Sequence, residues 1–320
     1  MPLLTRRSNS LEPVPPATAF GPVPLTNAPA GRSGFDPVLR AGSARRPALL
    51  SVCANPGCRA GWLRLWRSRS TPIFEGGWCC SPECTRALLE AALRREMGSH
   101  VAAPEAHRHR IPLGLAMLDQ RWITAEQLRL SLAAQRQAGA GRLGHWLCRQ
   151  GVSERLIARA LALQWSCPVL PLEAHLAEPL TTLLPRLFVD AFGALPLRVA
   201  AEKILYLGFE DRLDPALALA IERMTGLRVE SGIVEESRFR RSHGRALEAR
   251  YPVVELVEAT SDAALAGALA KALERARPVE SRLVRVHDCV WLRMLLRPQN
   301  GPIPTFDGVR DLIGSPASVR

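Results

Sequence analysis

The segment LGHWLCRQGVSERLIARALALQ, residues 143–164, decides how the middle of this chain is interpreted, because it repeats an earlier segment. Residues 113–135, LGLAMLDQRWITAEQLRLSLAAQ, begin with the same Leu-Gly pair and end on the same glutamine. Apolar residues recur at helical spacing on both sides of a turn in each copy. Each copy therefore predicts a short helix, a turn and a longer helix, and the sequence predicts a duplicated helical unit over residues 112–165.

Helix caps support this interpretation. Thr124, with Gln127 three residues later, matches a capping box, and Ser153 stands at the equivalent position of the second copy. Glycines then predict where helices end, at Gly139, Gly141 and Gly151.

The rest of the chain predicts small α/β layers. We expect strands at residues 195–199, 204–209 and 228–234 and a helix at 215–225. After residue 242 we expect a strand at 253–257, a helix capped by Ser261 that runs to Arg275, and a hairpin of residues 281–286 and 289–296.

Two cysteine pairs precede the repeat, Cys53 with Cys58 and Cys80 with Cys84. Zn²⁺ prefers four thiolates in a tetrahedron, and two short turns about twenty residues apart can supply them. A site with four protein ligands is closed, so we expect it to support the fold and not to catalyse. The pattern resembles treble-clef and related small zinc fingers, although the first turn is wider than theirs. Two disulfides or unpaired thiols are the alternative.

Cys79 stands beside Cys80, so either thiol could be the third ligand. The Cys-Ser-Pro-Glu-Cys turn favours Cys80, because Ser81 at a cap and Pro82 at the first position predict a helix start. Cys84 then lies in the first turn of a helix that continues to about residue 97.

The charge balance is a weak guide to function. The 320-residue chain has a net charge of +12, carried by arginine, since Lys203 and Lys271 are its only lysines. A GC-rich genome produces such a bias by itself. Residues 1–48 are rich in Pro, Ala, Gly and Ser and predict a disordered leader. The leader resembles no export signal and no long apolar run follows, so we expect a cytoplasmic protein without a transmembrane segment.

A resemblance rests on the second copy of the repeat. Residues 112 to about 240 resemble the MshEN-type N-terminal domain of type II secretion and type IV pilus assembly ATPases, the GspE/PilB-like proteins. The hallmark of that domain is a duplicated Arg-Leu-Gly…Gly…Leu…Leu…Gln motif. The matching residues are Arg142, Leu143, Gly144, Gly151, Ile157, Leu161 and Gln164.

That resemblance implies a binding site for cyclic di-GMP. An arginine can pair with a phosphate or a guanine, and leucines can pack against a base. The implied ligand residues are Arg142, Leu143, Gly144, Ile157, Leu161 and Gln164 in the second half-site, and Leu113, Gly114, Leu128, Leu132 and Gln135 in the first. The first copy departs from the motif, with Pro112 at the arginine position and Arg121 at the glycine position. Arg110 is near enough in sequence to replace the missing arginine.

Nothing in the sequence predicts an enzyme. The resemblance covers no ATPase domain, since the sequence contains no Gly-x-x-x-x-Gly-Lys-Ser/Thr. His287, Asp288 and Cys289 are adjacent, but successive strand residues point to opposite faces, so a turn is expected there and not a catalytic thiol.

Together these features predict an α+β multidomain chain: a small four-cysteine zinc module, a helical subdomain with a duplicated motif, and small α/β subdomains. The expected parts are a leader (1–48), the zinc module (49–98), a linker (99–110), the secretion-ATPase N-terminal-like domain (111–242, with repeats at 112–165 and an α/β part at 168–240) and an α/β extension (243–320).

The predicted function is a non-catalytic regulatory or adaptor protein that binds structural zinc, with cyclic di-GMP and a secretion or pilus component as expected partners. The alternative is a zinc-finger protein that binds nucleic acid through basic residues and two tryptophans. Those residues are Arg59, Trp62, Arg64, Trp66, Arg67, Arg69, Arg94 and Arg95.

Overall fold

The computed structural model describes residues 53–59, 72–98, 110–172 and 178–316. The predicted leader, most of the linker, and Trp62, Arg64, Trp66, Arg67 and Arg69 lie outside these ranges. Within the described residues, helices combine with three small sheets, which confirms the predicted α+β class.

The cysteine-bearing part consists of a small hairpin and one helix. Strands β1 (Ile73–Phe74) and β2 (Gly77–Trp78) pair antiparallel, and helix α1 (Pro82–Gly98) follows. The Ser81 hydroxyl accepts a hydrogen bond from the N–H of Cys84 at 3.2 Å. Pro82 fits the first helical position, where its missing N–H leaves no bond unmade. The predicted helix start is confirmed.

The repeat folds as two short-helix and long-helix pairs: α2 (Leu113–Asp119) with α3 (Ala125–Ala138), and α4 (Leu143–Arg149) with α5 (Glu154–Trp165). The Thr124–Gln127 capping box is present. Ser153 occupies the N-cap position of α5, which confirms the predicted helix start, although its side chain makes no cap hydrogen bond. Leu156 stands where Gln127 stands in the first copy, so the reciprocal bond is not available there.

The α/β part contains α6 (Arg186–Phe192), β3 (Leu195–Ala200), β4 (Ile204–Phe209), α7 (Pro215–Thr225), β5 (Arg228–Ile233) and α8 (Glu236–Glu248). Its sheet has the order β3-β4-β5, with β4 and β5 parallel and joined by α7. The side chain of Asp214 caps α7 by accepting the N–H of Leu217 at 2.9 Å. Just before this part, Val169 and Ile233 form a single isolated parallel bridge.

The C-terminal part contains β6 (Val254–Ala259), α9 (Asp262–Ala276), β7 (Glu280–Val286), β8 (Cys289–Leu295) and β9 (Val309–Pro316). These strands form one sheet in the order β6-β9-β8-β7, in which only β6 and β9 are parallel. The predicted strands and the Ser261-capped helix are confirmed, whereas β9 was not predicted.

Successive side chains of a strand point to opposite faces, and both faces of the four-stranded sheet are buried. One face joins the core of the α/β part through Val284, Val286, Trp291 and Ile313. The other face, which includes Leu283, Val290, Leu292 and Leu312, packs against α9 and against Leu89 and Leu93 of α1. Helix α1 therefore shares a hydrophobic core with the C-terminal sheet.

Backbone hydrogen bonds also join the cysteine-bearing part to this sheet. The N–H of Glu75 donates to the carbonyl of Ser281 at 2.8 Å, and the Ser281 hydroxyl donates to the carbonyl of Ile73 at 2.7 Å. The β1–β2 hairpin thus extends the β7 edge, so the cysteines lie beside a segment that is anchored to the sheet.

A buried carboxylate fixes the far end of α1. Glu96 is 1% exposed and accepts two hydrogen bonds from Arg223 of α7, at 2.6 and 2.9 Å. The backbone N–H of Arg285 in β7 donates to the same carboxylate at 3.2 Å. Burial acts to raise the pKa of Glu96, but the paired arginine and the N–H lower it overall. One charged group therefore ties α1 to both neighbouring layers.

Among the described residues, no helix is both long enough and apolar enough to cross a membrane.

Candidate functional site

Four cysteine sulfurs meet between the first turn, the hairpin and the start of α1. The Sγ atoms of Cys53, Cys58, Cys80 and Cys84 all lie within 4.8 Å of one another. Those of Cys58 and Cys80 are 3.4 Å apart, and those of Cys80 and Cys84 are 3.7 Å apart. Tetrahedral Zn–S bonds of about 2.3 Å place sulfurs about 3.8 Å apart, close to these separations. The group can hold a metal ion.

The disulfide alternative does not describe this arrangement. A disulfide requires an S–S distance of about 2.05 Å, and none of the eight cysteines of the chain, all of which the structure describes, forms one. The backbone N–H of Cys80 donates to the Cys53 sulfur at 3.4 Å. Such N–H···S bonds stabilise a negatively charged sulfur, as a metal ligand requires.

Cys79 is outside the sulfur cluster, although it neighbours Cys80 in the chain. It is 1% exposed, and burial raises the pKa of its thiol to about 11. A neutral, buried thiol behaves as a small apolar side chain. The geometry therefore groups Cys80 with the other three ligand candidates.

The second half-site lines a cavity of about 80 Å³ between the repeat and the α/β part. Arg142, Leu143 and Gly144 come from the start of α4, and Ile157 and Leu161 come from α5. Leu113 is the one first-half candidate in this lining. The other first-half candidates, Gly114, Leu128, Leu132 and Gln135, do not line it.

The side chains of the two motif glutamines donate hydrogen bonds to backbone carbonyl groups. The Gln135 amide donates to the carbonyl of Gly141 at 2.7 Å, and the Gln164 amide donates to the carbonyl of Ile111 at 2.8 Å. Each glutamine ends the long helix of one copy and fixes the backbone just before the short helix of the other. Each copy of the motif is therefore hydrogen-bonded to the other through its glutamine, and both glutamine side chains already have a backbone partner.

The motif glycines permit close helix packing. A Cβ on Gly144 would lie 3.0 Å from Cγ2 of Ile157, and one on Gly114 would lie 2.6 Å from Cδ1 of Leu128. These equivalent contacts press each short helix onto its long helix. Arg121 takes the positive φ of 54° where the second copy has Gly151 at 81°, which shows that the two turns are equivalent.

The first half-site has no arginine at its motif position. Pro112 occupies the N-cap position of α2, as Arg142 does for α4. Arg110, the residue near enough in sequence to replace the missing arginine, has its guanidinium over the ring of Trp165, 2.8 Å from the centroid. Trp165 in turn donates its indole N–H to the carbonyl of Asp211 at 2.8 Å.

Arg142 is already paired with two carboxylates. Its guanidinium lies 2.7 Å from Glu210 and 3.1 Å from Asp211, on the loop that follows β4. Glu210 also pairs with Arg240 of α8 at 2.7 Å, and this contact raises the pKa of Arg240. Arg240 pairs with Glu236 as well, at 2.5 Å. The candidate ligand arginine is thus one member of a charge network.

Sequence reasoning missed the acidic residues of this cavity, which are Glu154, Glu210, Asp211 and Glu236. Three of them lie on elements distant in sequence from the motif, and only the fold brings them to Arg142. The one local signal was the Glu210-Asp211 pair directly after a strand, where loop residues often face a site.

The His287-Asp288-Cys289 turn forms as expected. His287 contacts Asp214 at 2.7 Å, and the Cys289 thiol donates to the carbonyl of Val286 at 3.0 Å. Burial, followed by the charge of Asp288, raises the pKa of Cys289, so its reactive thiolate is disfavoured.

No protein-family model matches the chain, and no curated protein matches it significantly. A structure of MshE with cdg (cyclic di-GMP) is similar at 27% identity and a TM-score of 0.35, covering 43% of this chain and 99% of that one. Two crystal forms of the N-terminal domain of XpsE are also similar. The first has 24% identity and a TM-score of 0.30, and the match covers 42% of this chain and 92% of that one. The second has 23% identity and a TM-score of 0.24, and the match covers 43% of this chain and 93% of that one.

Proposed function

We propose that this chain is a non-catalytic regulatory or adaptor protein whose secretion-ATPase N-terminal-like domain binds cyclic di-GMP through one arginine-bearing half-site. The observation that carries the proposal is the second half-site. Arg142, Leu143, Ile157 and Leu161 line one cavity at the junction of the repeat and the α/β part.

The chemistry of these side chains suits such a ligand. A guanidinium can bind a phosphodiester or the edge of a guanine with two parallel hydrogen bonds. Leucine and isoleucine side chains give an apolar surface on which a base can pack. Arg142 is 48% exposed, so its head can reach a ligand at the mouth of the cavity.

Only one half-site carries an arginine at its motif position. Pro112 provides no donor, and Arg110 is stacked on Trp165. We therefore expect the ligand to be held asymmetrically, through Arg142. The cavity of about 80 Å³ is smaller than the roughly 300 Å³ at the low end for ligand pockets, so we expect the ligand to lie across its mouth or to widen it.

We further propose that the four cysteines hold a structural Zn²⁺. Four thiolates satisfy a tetrahedral ion completely and leave no position open for a substrate. The metal would fix the start of α1 and the β1–β2 hairpin, whose strands are too short to be stable alone. The expected protein partner is a component of a secretion or pilus system.

Of the basic residues of the nucleic-acid alternative that the structure describes, Arg59 and Arg94 are exposed, whereas Arg95 is engaged by carboxylates. Arg95 forms two hydrogen bonds with Glu75, at 2.6 and 3.0 Å, and also pairs with Glu96. A guanidinium engaged in this way is poorly placed to contact phosphates. The two tryptophans of that alternative lie outside the described residues.

Calorimetric titration with cyclic di-GMP tests the proposal. We expect micromolar binding by the metal-loaded protein and at least tenfold weaker binding by Arg142→Ala. Arg136→Ala is the matched control, because it removes an exposed arginine of α3 that does not line the cavity. No heat from the well-folded wild type, or an equal loss in both variants, would overturn the proposal.

A further inference from the structure

Two nitrogens of the Arg142 guanidinium already face carboxylates, Nη1 towards Glu210 and Nε towards Asp211. The N–O distances are 2.7 Å to Glu210 and 3.1 Å to Asp211. These two carboxylates compete for the donors that a phosphodiester or a guanine would use. A ligand that uses the same two nitrogens of Arg142 must displace at least one of these carboxylates.

Glu210 is held more firmly than Arg142. Its side chain is only 15% exposed, and a second arginine, Arg240, binds it at 2.7 Å from the opposite element. Arg240 is itself fixed by Glu236. Asp211 is fixed through its backbone, since its carbonyl accepts the indole N–H of Trp165. Arg142, which is 48% exposed, is the cationic member of this network that lines the cavity.

The charge around the cavity also opposes an anionic ligand. Four carboxylates line it, whereas Arg142 is the single cation that the described residues contribute to its lining. The carboxylate of Glu154 accepts the backbone N–H of Ser237 at 3.0 Å, so it faces a neutral partner. A phosphate that approaches Arg142 therefore also approaches an excess of negative charge.

We infer that Glu210 and Asp211 set the affinity of this half-site for a phosphate-bearing ligand, by holding Arg142 in an ion pair and repelling the phosphate. The inference rests on the proposed function. Glu210 acts through Arg142, so it is a positioning residue and contacts no ligand. Removing its charge while keeping its shape strengthens binding, whereas a merely structural role predicts weaker binding or no change.

Calorimetry with cyclic di-GMP tests this inference on the full, metal-loaded chain. We expect Glu210→Gln to bind about three- to tenfold more tightly than the wild type, the range that follows from loss of a partly exposed ion pair and of one repelling charge. Asp211→Asn should show a smaller gain, because its ion pair is longer. The control is Glu230→Gln, which breaks the 2.7 Å pair with Arg228 outside the cavity and changes the net charge equally.

The salt dependence of binding distinguishes an electrostatic effect of Glu210→Gln from an effect of altered packing. The gain of Glu210→Gln over the wild type should shrink as salt rises from about 20 mM to about 500 mM, because screening removes the repulsion. A gain that is independent of salt, or one that Glu230→Gln shares, would overturn the inference.

A double-mutant cycle with Arg142→Ala and Glu210→Gln, read by thermal unfolding, tests the ion pair without any ligand. Additive effects would overturn the inference. If the wild type binds cyclic di-GMP and Glu210→Gln binds it equally well or more weakly, the inference is overturned but the proposed function stands. Absence of binding by the wild type and by both carboxamide variants would refute the proposed function and this inference with it.

Discussion

Replacing Glu96 by glutamine tests how strongly the cysteine-bearing helix is joined to the rest of the molecule. The wild-type carboxylate is 1% exposed and receives two hydrogen bonds from Arg223 and one from the backbone N–H of Arg285. Arg95 adds a fourth at 3.2 Å. Glutamine keeps the shape of the side chain but has no charge. Its NH₂ group is a donor, and it replaces a carboxylate oxygen that accepted hydrogen bonds from these N–H groups.

The magnitude follows from these partners. Hydrogen bonds to a charged group contribute about 1.5–3 kcal/mol each when buried. The side chains of Arg223 and Arg95 are 43% and 52% exposed, so water can replace many of the hydrogen bonds that these arginines lose in the variant. We therefore expect Glu96→Gln to cost about 2 kcal/mol in total, which lowers the melting temperature by about 4–8 °C in a chain of this size.

The pH dependence has a defined sign. Because the folded state lowers the pKa of Glu96, its contribution is fully present above the unfolded carboxyl pKa of about 4.3 and is lost as pH falls through the folded value. The difference between wild type and variant should be constant from about pH 6 to about pH 8 and should shrink below about pH 4.

Thermal unfolding followed by circular dichroism measures this difference, with each variant compared with wild type at the same pH. Glu90→Gln is the matched control, because it lies on the same helix and breaks an exposed i,i+4 pair with Arg86. We expect that control to change stability by less than about 0.5 kcal/mol. If the two variants are equally stable, or if the Glu96→Gln defect grows at acid pH, the structural role assigned to Glu96 is refuted.

Three further predictions concern other sites. Cys80→Ser should lose bound metal, measured by elemental analysis of purified protein, whereas Cys79→Ser should retain it; equal metal content would contradict the ligand assignment. Asp311→Asn should cost about 3–5 kcal/mol in denaturant unfolding, because it leaves the buried guanidinium of Arg293 without a negatively charged partner. A joint change of both residues to apolar ones should recover much of this loss. Gly232→Ala should destabilise by about 1–3 kcal/mol, since its Cβ would lie 2.6 Å from the carbonyl oxygen of Pro168; wild-type stability would show that this segment is loosely packed.

Local signals predicted the elements whose ends are marked by side chains. Thr124 with Gln127, Ser261 and the Ser81-Pro82 pair each begin a helix in the structure, because a cap satisfies backbone donors wherever the helix lies. The spacing of the four cysteines likewise predicted a cluster, since a metal demands few and specific ligands.

Elements stabilised by distant partners were not predictable in this way. Strand β9 contains Asp311, a charged residue that argues against a buried strand when read alone. In the fold Asp311 is 2% exposed and pairs with Arg293 on β8. The arginine-rich α8 was missed for the same reason, since its Arg240 finds Glu210 only once the layers pack. The acidic residues Glu210, Asp211 and Glu236 of the candidate site were missed for the same reason, since only the fold brings them to Arg142.

The position of α1 limits what the cysteine cluster can do. Cys84 lies in its first turn and Glu96 in its last, so the helix joins the sulfur group at one end to α7 and β7 at the other. Its apolar side, with Leu89 and Leu93, is buried against α9 and the C-terminal sheet. A metal bound at this cluster would therefore hold in place the helix that braces the four-stranded sheet, so its loss should loosen the α1–α9 layer before it affects the repeat.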